Sequence, residues 1–178
     1  MAAARRAPRQ PIRTTRSENL RYTLDASVFV NAFNPHEEGH AESLTILAAI
    51  REGGDPVIVP TLLLPEIASA AARASDDSAG ALQYAQTIAA LPHLTLVSLT
   101  PAMARQAAEL AANHRLRGAD AVYVAVARRY GTTLVSRDEE QRSRGSVVVT
   151  CQKPEEALST RQAPKPPASR GRRGRTRD

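Results

Sequence analysis

Apolar residues in this chain fall into short, nearly continuous runs separated by longer stretches in which they recur every three or four positions. The runs at 22–24, 57–59, 94–99, 133–135 and 146–150 are of strand length and have turn-forming neighbours, so they predict five short strands. Between the first two, Val28, Phe29, Ala32 and Phe33 have helical spacing and Pro35 ends that helix. Leu44, Leu47 and Ala48 predict a second helix over about 37–51, with Gly53-Gly54 as its stop. Thr61 is placed to cap a helix over 62–73, in whose first turn Pro65 is tolerable because the N–H groups there lack intrahelical partners. A further helix is expected over 79–91. Thr100 caps and Pro101 opens another that runs to about 116, and Gly118 separates it from a helix over 119–130 that Gly131 stops. Strands alternating with helices predict an α/β fold, a mostly parallel sheet covered by helices on both faces.

At 178 residues the chain is long enough for one well-buried domain and short for two. Its formal charge of +6 is unevenly spread. Residues 1–21 hold six Arg against Glu18, and residues 159–178 hold six Arg and Lys165 against Asp178, so the two ends sum to +11 and residues 22–158 to −5. Both ends are rich in Pro, Ser, Thr and Arg and too poor in apolar residues to offset the entropy of ordering. They are expected to be disordered tails, serving either as solubilising padding or as salt-sensitive tethers for phosphate. The N-terminal one is also Arg-rich like an organelle-targeting peptide, although Pro8 and Pro11 interrupt any amphipathic helix. A single cysteine, Cys151, excludes an internal disulfide and a multi-cysteine zinc site, which points to a reducing, cytoplasmic compartment. No apolar run approaches the roughly 20 residues that span a bilayer, so no membrane role is expected.

Four acids change the picture from fold to chemistry. Asp25 follows the first strand, Glu66 lies about one turn into the helix after the second, Asp120 opens the helix before the fourth, and Asp138 follows the fourth. An open α/β sheet builds its ligand site at this carboxyl edge. Carboxylates gathered there repel one another unless a cation lies between them, which predicts a divalent metal with oxygen ligands, Mg²⁺ or Mn²⁺. Such ions can activate water and stabilise the leaving oxygen of a phosphodiester. Ser27 and Ser136 are spaced to orient Asp25 and Asp138 by hydrogen bonds. Taken singly, each acid also fits a structural role, Asp120 and Glu66 as favourable charges at helix N-termini and Asp138 as a turn cap.

The four segments carrying these acids are Leu24-Asp25-Ala26-Ser27, Leu62-Leu63-Leu64-Pro65-Glu66-Ile67, Gly118-Ala119-Asp120-Ala121-Val122-Tyr123-Val124-Ala125-Val126-Ala127 and Leu134-Val135-Ser136-Arg137-Asp138. In this order and at these separations they resemble the PIN-domain family, and within it the VapC-type ribonuclease toxins of bacteria. The resemblance covers about residues 22–158. It implies a three-layer α/β/α sandwich, Mg²⁺ or Mn²⁺ held by Asp25, Glu66, Asp120 and Asp138, cleavage of single-stranded RNA, a homodimer and, for a toxin, a cognate antitoxin protein. The apolar faces of the helix over 62–72 suggest the dimer surface, and Arg115, Arg117, Arg128 and Arg137, or the tails, are candidates to hold the RNA backbone. One departure stands after Asp138, where the polar run Glu139-Glu140-Gln141 occupies positions at which the family often has an apolar or aromatic residue. Glu139 or Glu140 is therefore an alternative or additional ligand.

Other readings fit the residues less well. His36-Glu37-Glu38-Gly39-His40 matches the HExxH pattern of zinc metalloproteases, in which two imidazoles share a helix face and the Glu acts as base. Pro35 and Gly39 both work against a helix there. There is no glycine-rich phosphate loop, Walker lysine or dinucleotide fingerprint, and Ser27 stands where a haloacid-dehalogenase-type motif would want a second acid. His93 and His114 have no evident partners. With no Trp and few other aromatics, base stacking cannot dominate RNA reading. A noncatalytic relative that only binds RNA or a protein partner would carry the same pattern.

Overall fold

The computed structural model describes residues 20–162. Most of the two basic ends, with the disorder and tether readings placed on them, lies outside those residues. Along the described chain the elements are β1 (Tyr22–Leu24), α1 (Ala26–Phe33), α2 (His40–Gly53), β2 (Val57–Pro60), α3 (Leu63–Ser75), α4 (Ser78–Ala89), β3 (Leu94–Val97), α5 (Pro101–His114), α6 (Gly118–Tyr130), β4 (Thr133–Val135), α7 (Glu139–Gly145), β5 (Cys151–Gln152) and α8 (Pro154–Gln162).

The strands form one parallel sheet in the order β3-β2-β1-β4-β5, with Tyr22 paired to Val57 on one side and to Thr133 on the other. β1 is buried at every position, as expected for a parallel strand covered on both faces. Its Thr23 side chain is satisfied by donating to the Ile58 carbonyl at 2.8 Å and by sharing a 2.6 Å hydrogen bond with Thr132, whereas the Tyr22 hydroxyl is buried without a partner. α6 packs across β1, β2 and β4, and residues 121–127 of it are all buried. α1, α2 and α4 close over β1, β2 and β3 through Phe29, Ile50 and Ile88. The result is the expected three-layer α/β/α sandwich. Because the chain steps from β1 outward to β3 and then crosses back to β4, the strand order reverses between β1 and β4, which is where such sheets open a crevice.

Three local expectations are corrected. The fifth strand does not occupy 146–150: those residues turn, with Val148 and Val149 N–H groups donating to the Gly145 carbonyl, and the strand follows at Cys151–Gln152. The turn is needed because 139–145, which has no apolar side chain to betray it, forms the extra helix α7 and must reverse before pairing with β4. Thr61 does not cap α3. Its N–H instead extends the β2–β3 ladder by donating to Val97, and Leu62 occupies the cap position without a side-chain hydrogen bond. At the C-terminal end, α8 continues past residue 158 to Gln162, fastened by the buried Ala157 and by a 2.8 Å ion pair from Arg161 to Asp55. No described helix is long and apolar enough to cross a membrane.

Candidate active site

All four acids stand at helix N-termini. Asp25 caps α1 and Asp138 caps α7, while Glu66 and Asp120 lie in the first turns of α3 and α6. The structural roles considered for single acids are thus real, since the positive ends of helices favour carboxylates. They do not explain why the four helices bring all four acids to the wall of one open cleft of about 590 Å³. Ser27, Ser69 and Arg73 line the same cleft.

Each carboxylate is held differently. Asp25 is only 7% exposed; its Oδ2 accepts the Ser27 N–H at 2.9 Å and its Oδ1 accepts the Gln141 side-chain amide at 3.2 Å. Glu66 Oε2 accepts the Tyr123 hydroxyl at 2.6 Å. Asp138 Oδ1 accepts the Gln141 backbone N–H at 2.8 Å, and its Oδ2 pairs with Arg117 at 3.2 Å. Asp120 Oδ2 is buried with no hydrogen-bond partner.

The charges register one another. Burial raises the Asp120 pKa to about 6, helped by the negative charges of Asp25, Asp138 and Glu66 and opposed by Arg117. Burial also raises Asp25, with Asp138 adding to it and hydrogen bonds from Ser27 and Gln141 working against it. Glu66 is raised by burial and by Asp25, while the Tyr123 hydrogen bond pulls it back. Burial first, then the charges of Asp25 and Glu66, push the Tyr123 phenol upward, so it stays a donor.

Ser27 bears on Asp25 as expected, and both serines also hold the backbone next to Asp138. Ser27 Oγ accepts the Arg137 N–H and Ser136 Oγ accepts the Asp138 N–H, both at 3.0 Å, so the hydroxyls fix the backbone that carries Asp138 rather than its carboxylate. Glu140 is engaged by Arg117 at 3.1 Å and by Arg144 at 2.5 Å, and neither Glu139 nor Glu140 lines the cleft. Of the arginines proposed for RNA, Arg117 is at the acids, Arg137 donates to the Gly39 carbonyl, and Arg128 lines a separate hollow with Gln106 and Glu109. Sequence reasoning missed Tyr123, Gln141 and Arg73. Tyr123 lies three residues after Asp120, one helical turn along the same helix, which is a signal that could have been read.

The zinc-protease pattern is not assembled. Gly39 takes φ +82, with the Arg137 guanidinium packed against it, so His36 lies in a turn and only His40 is helical. Glu37 accepts from Asn31 and Asn34, and His40 Nδ1 bonds the Asn31 carbonyl. These side chains tie α1 to α2.

Among the described residues no three His, Cys, Asp or Glu side chains form a group that by itself could hold a metal ion. The four carboxylates nonetheless line one cleft, with the unpartnered Asp120 oxygen among them. That donor set fits Mg²⁺ or Mn²⁺, since Mg²⁺ takes one or two carboxylates and keeps several waters.

A family model described as the PIN domain matches residues 22–146. No curated protein sequence matches the chain significantly. Among solved structures, VapC20 of Mycobacterium tuberculosis, a toxin that cleaves the sarcin-ricin loop, is 19% identical with a TM-score of 0.59, covering 68% of this chain and 93% of that one. VapBC2 of Rickettsia felis, bound to a fragment of its promoter DNA, is 14% identical with a TM-score of 0.58 over 75% of this chain and 98% of that one. PAE2754 of Pyrobaculum aerophilum is 20% identical with a TM-score of 0.56 over 80% and 96%. At these identities the structural likeness speaks for the fold.

Proposed function

The chain belongs to the PIN-domain family, and from that premise we propose that it is a Mg²⁺- or Mn²⁺-dependent endoribonuclease, the toxin of a toxin–antitoxin pair. One observation carries the reading: four carboxylates from four helices face one cleft, and one of them, Asp120, has an unpartnered buried oxygen and a pKa raised to about 6. Asp25, Asp120 and Asp138 would hold the metal, with Glu66 completing or tuning the set. A bound divalent ion supplies positive charge for activating water and for the leaving oxygen of a phosphodiester. Tyr123 aims Glu66 and favours its charged form, Gln141 and Ser27 do the same for Asp25, and Arg73 at the wall of the cleft is placed to meet RNA phosphate.

An antitoxin partner is supported by the likeness to VapBC complexes, and a homodimer through α3 belongs to the same reading. The second reading, a noncatalytic binder of RNA or protein, shares the fold and differs in chemistry. Incubating the purified protein with mixed single-stranded RNA and Mn²⁺ separates the two. Discrete cleavage that EDTA abolishes supports the nuclease; RNA that stays intact with Mn²⁺ overturns it in favour of the binder.

A further inference from the structure

Gln141 is fully buried beside the acids and touches two of them at once. Its position on α7 makes an ordinary explanation available. As the third residue after the cap Asp138, a Gln would normally turn back and accept the cap residue's own N–H, closing a capping box. Here that N–H already donates to Ser136 Oγ at 3.0 Å, and Gln141 Oε1 is left buried without a partner. The side chain instead crosses to another element, where its Nε2 donates to Asp25 Oδ1 at 3.2 Å. Capping of α7 therefore needs only the Gln141 backbone N–H, which Asp138 Oδ1 accepts at 2.8 Å.

A buried polar group with an unsatisfied acceptor is costly, and an apolar side chain of similar size would avoid it. The arrangement is therefore a poor choice for stability alone. We propose that Gln141 is a positioning residue of the acidic cleft: its amide orients Asp25 while its backbone orients Asp138, coupling the two carboxylates that flank the β1–β4 switch point. The assignment rests on the metal reading above, because orienting these oxygens matters only if they receive a cation. Partners of this kind typically change metal affinity by about 10–100-fold when removed.

The test uses Gln141→Leu in the full chain. Leu is similar in bulk and leaves the backbone N–H in place; it removes the orphan acceptor together with the donor to Asp25 Oδ1, so the two effects on stability oppose each other and the variant is expected to fold. Free Mn²⁺ is followed by electron paramagnetic resonance during titration into metal-free protein, and cleavage is measured against Mn²⁺ concentration. The expected result is Mn²⁺ binding weakened about tenfold, with the Mn²⁺ dependence of cleavage displaced by the same factor. Wild-type Mn²⁺ affinity in a folded Gln141→Leu variant overturns the proposal and leaves Gln141 as filler. A metal-independent readout keeps it distinguishable from the nuclease reading: in metal-free wild type the Gln141 side-chain amide protons should be protected from exchange, and Asp25→Ala should expose them. If wild type binds no Mn²⁺, the nuclease reading and the positioning role both fall, while protected amide protons would still show the Asp25 contact. If Gln141→Leu itself fails to fold, Gln141→Met carries the same comparison; failure of both assigns the residue to stability and overturns the positioning role.

Discussion

The Tyr123 hydroxyl lies 2.6 Å from Glu66 Oε2 and joins α6 to α3 at an acid that lines the cleft. Hydrogen bonds to charged groups contribute about 1.5–3 kcal/mol, and Glu66 retains contact with the open cleft, which places this one at the lower end. Tyr123→Phe should cost about 1.5 kcal/mol in urea unfolding. It should also move the Glu66 pKa further up, so the acid limb of cleavage shifts to higher pH.

Asp120 makes stability fall with rising pH in the metal-free protein. Its folded pKa of about 6 lies above the ordinary value of 3.8, so between these the folded state binds more protons than the unfolded chain. The contribution is fully present below about pH 4 and is lost as pH rises through 6. Asp25 and Glu66, also raised, act in the same direction. Thermal melts from pH 4 to 7 in EDTA should show this acid contribution disappear in wild type and be smaller in Asp120→Asn, where Asp25 and Glu66 still contribute. Added Mn²⁺ should restore stability at pH 7, since a ligand of the folded state stabilises it.

The order of elements and the junctions bearing Asp25, Glu66, Asp120 and Asp138 were legible in the sequence, because buried parallel strands and capped helices leave strong local patterns. Thr100 with Pro101 and Gly131 act as their residue types require. What was not legible depends on long-range geometry. α7 has no apolar face to mark it, and Ser146 onward reads as strand until that helix is known. Gln141 looked like a departure from the family pattern, and only the fold shows it reaching Asp25, which lies 116 residues earlier.

Arg117 is bonded to Asp138 and Glu140, yet its side chain is 65% exposed, so the pairs should contribute less than about 1 kcal/mol. Arg117→Ala should therefore leave the melting temperature nearly unchanged. Its charge nevertheless lowers the Asp120 pKa. A pH–rate profile should show the acid limb moving upward in the variant, more so at low ionic strength.

The separation of His36 from His40 at Gly39 predicts no role for zinc. Metal analysis of purified protein should find no zinc at one per chain, and His36→Ala should cleave RNA at the wild-type rate. Stoichiometric zinc lost in that variant would revive the protease pattern.

In the proposed nuclease the acidic cleft works through a divalent cation held at Asp25. Asn caps helices about as well as Asp, so Asp25→Asn keeps the start of α1 while removing the charge. The decisive measurement is single-turnover cleavage of RNA by Asp25→Asn and wild type at saturating Mn²⁺, with folding verified by thermal melt. The expected result is a folded variant whose rate falls on the order of 10²-fold or more, as when a charge-stabilising group is removed from an active site. A folded Asp25→Asn that cleaves at the wild-type rate would contradict it.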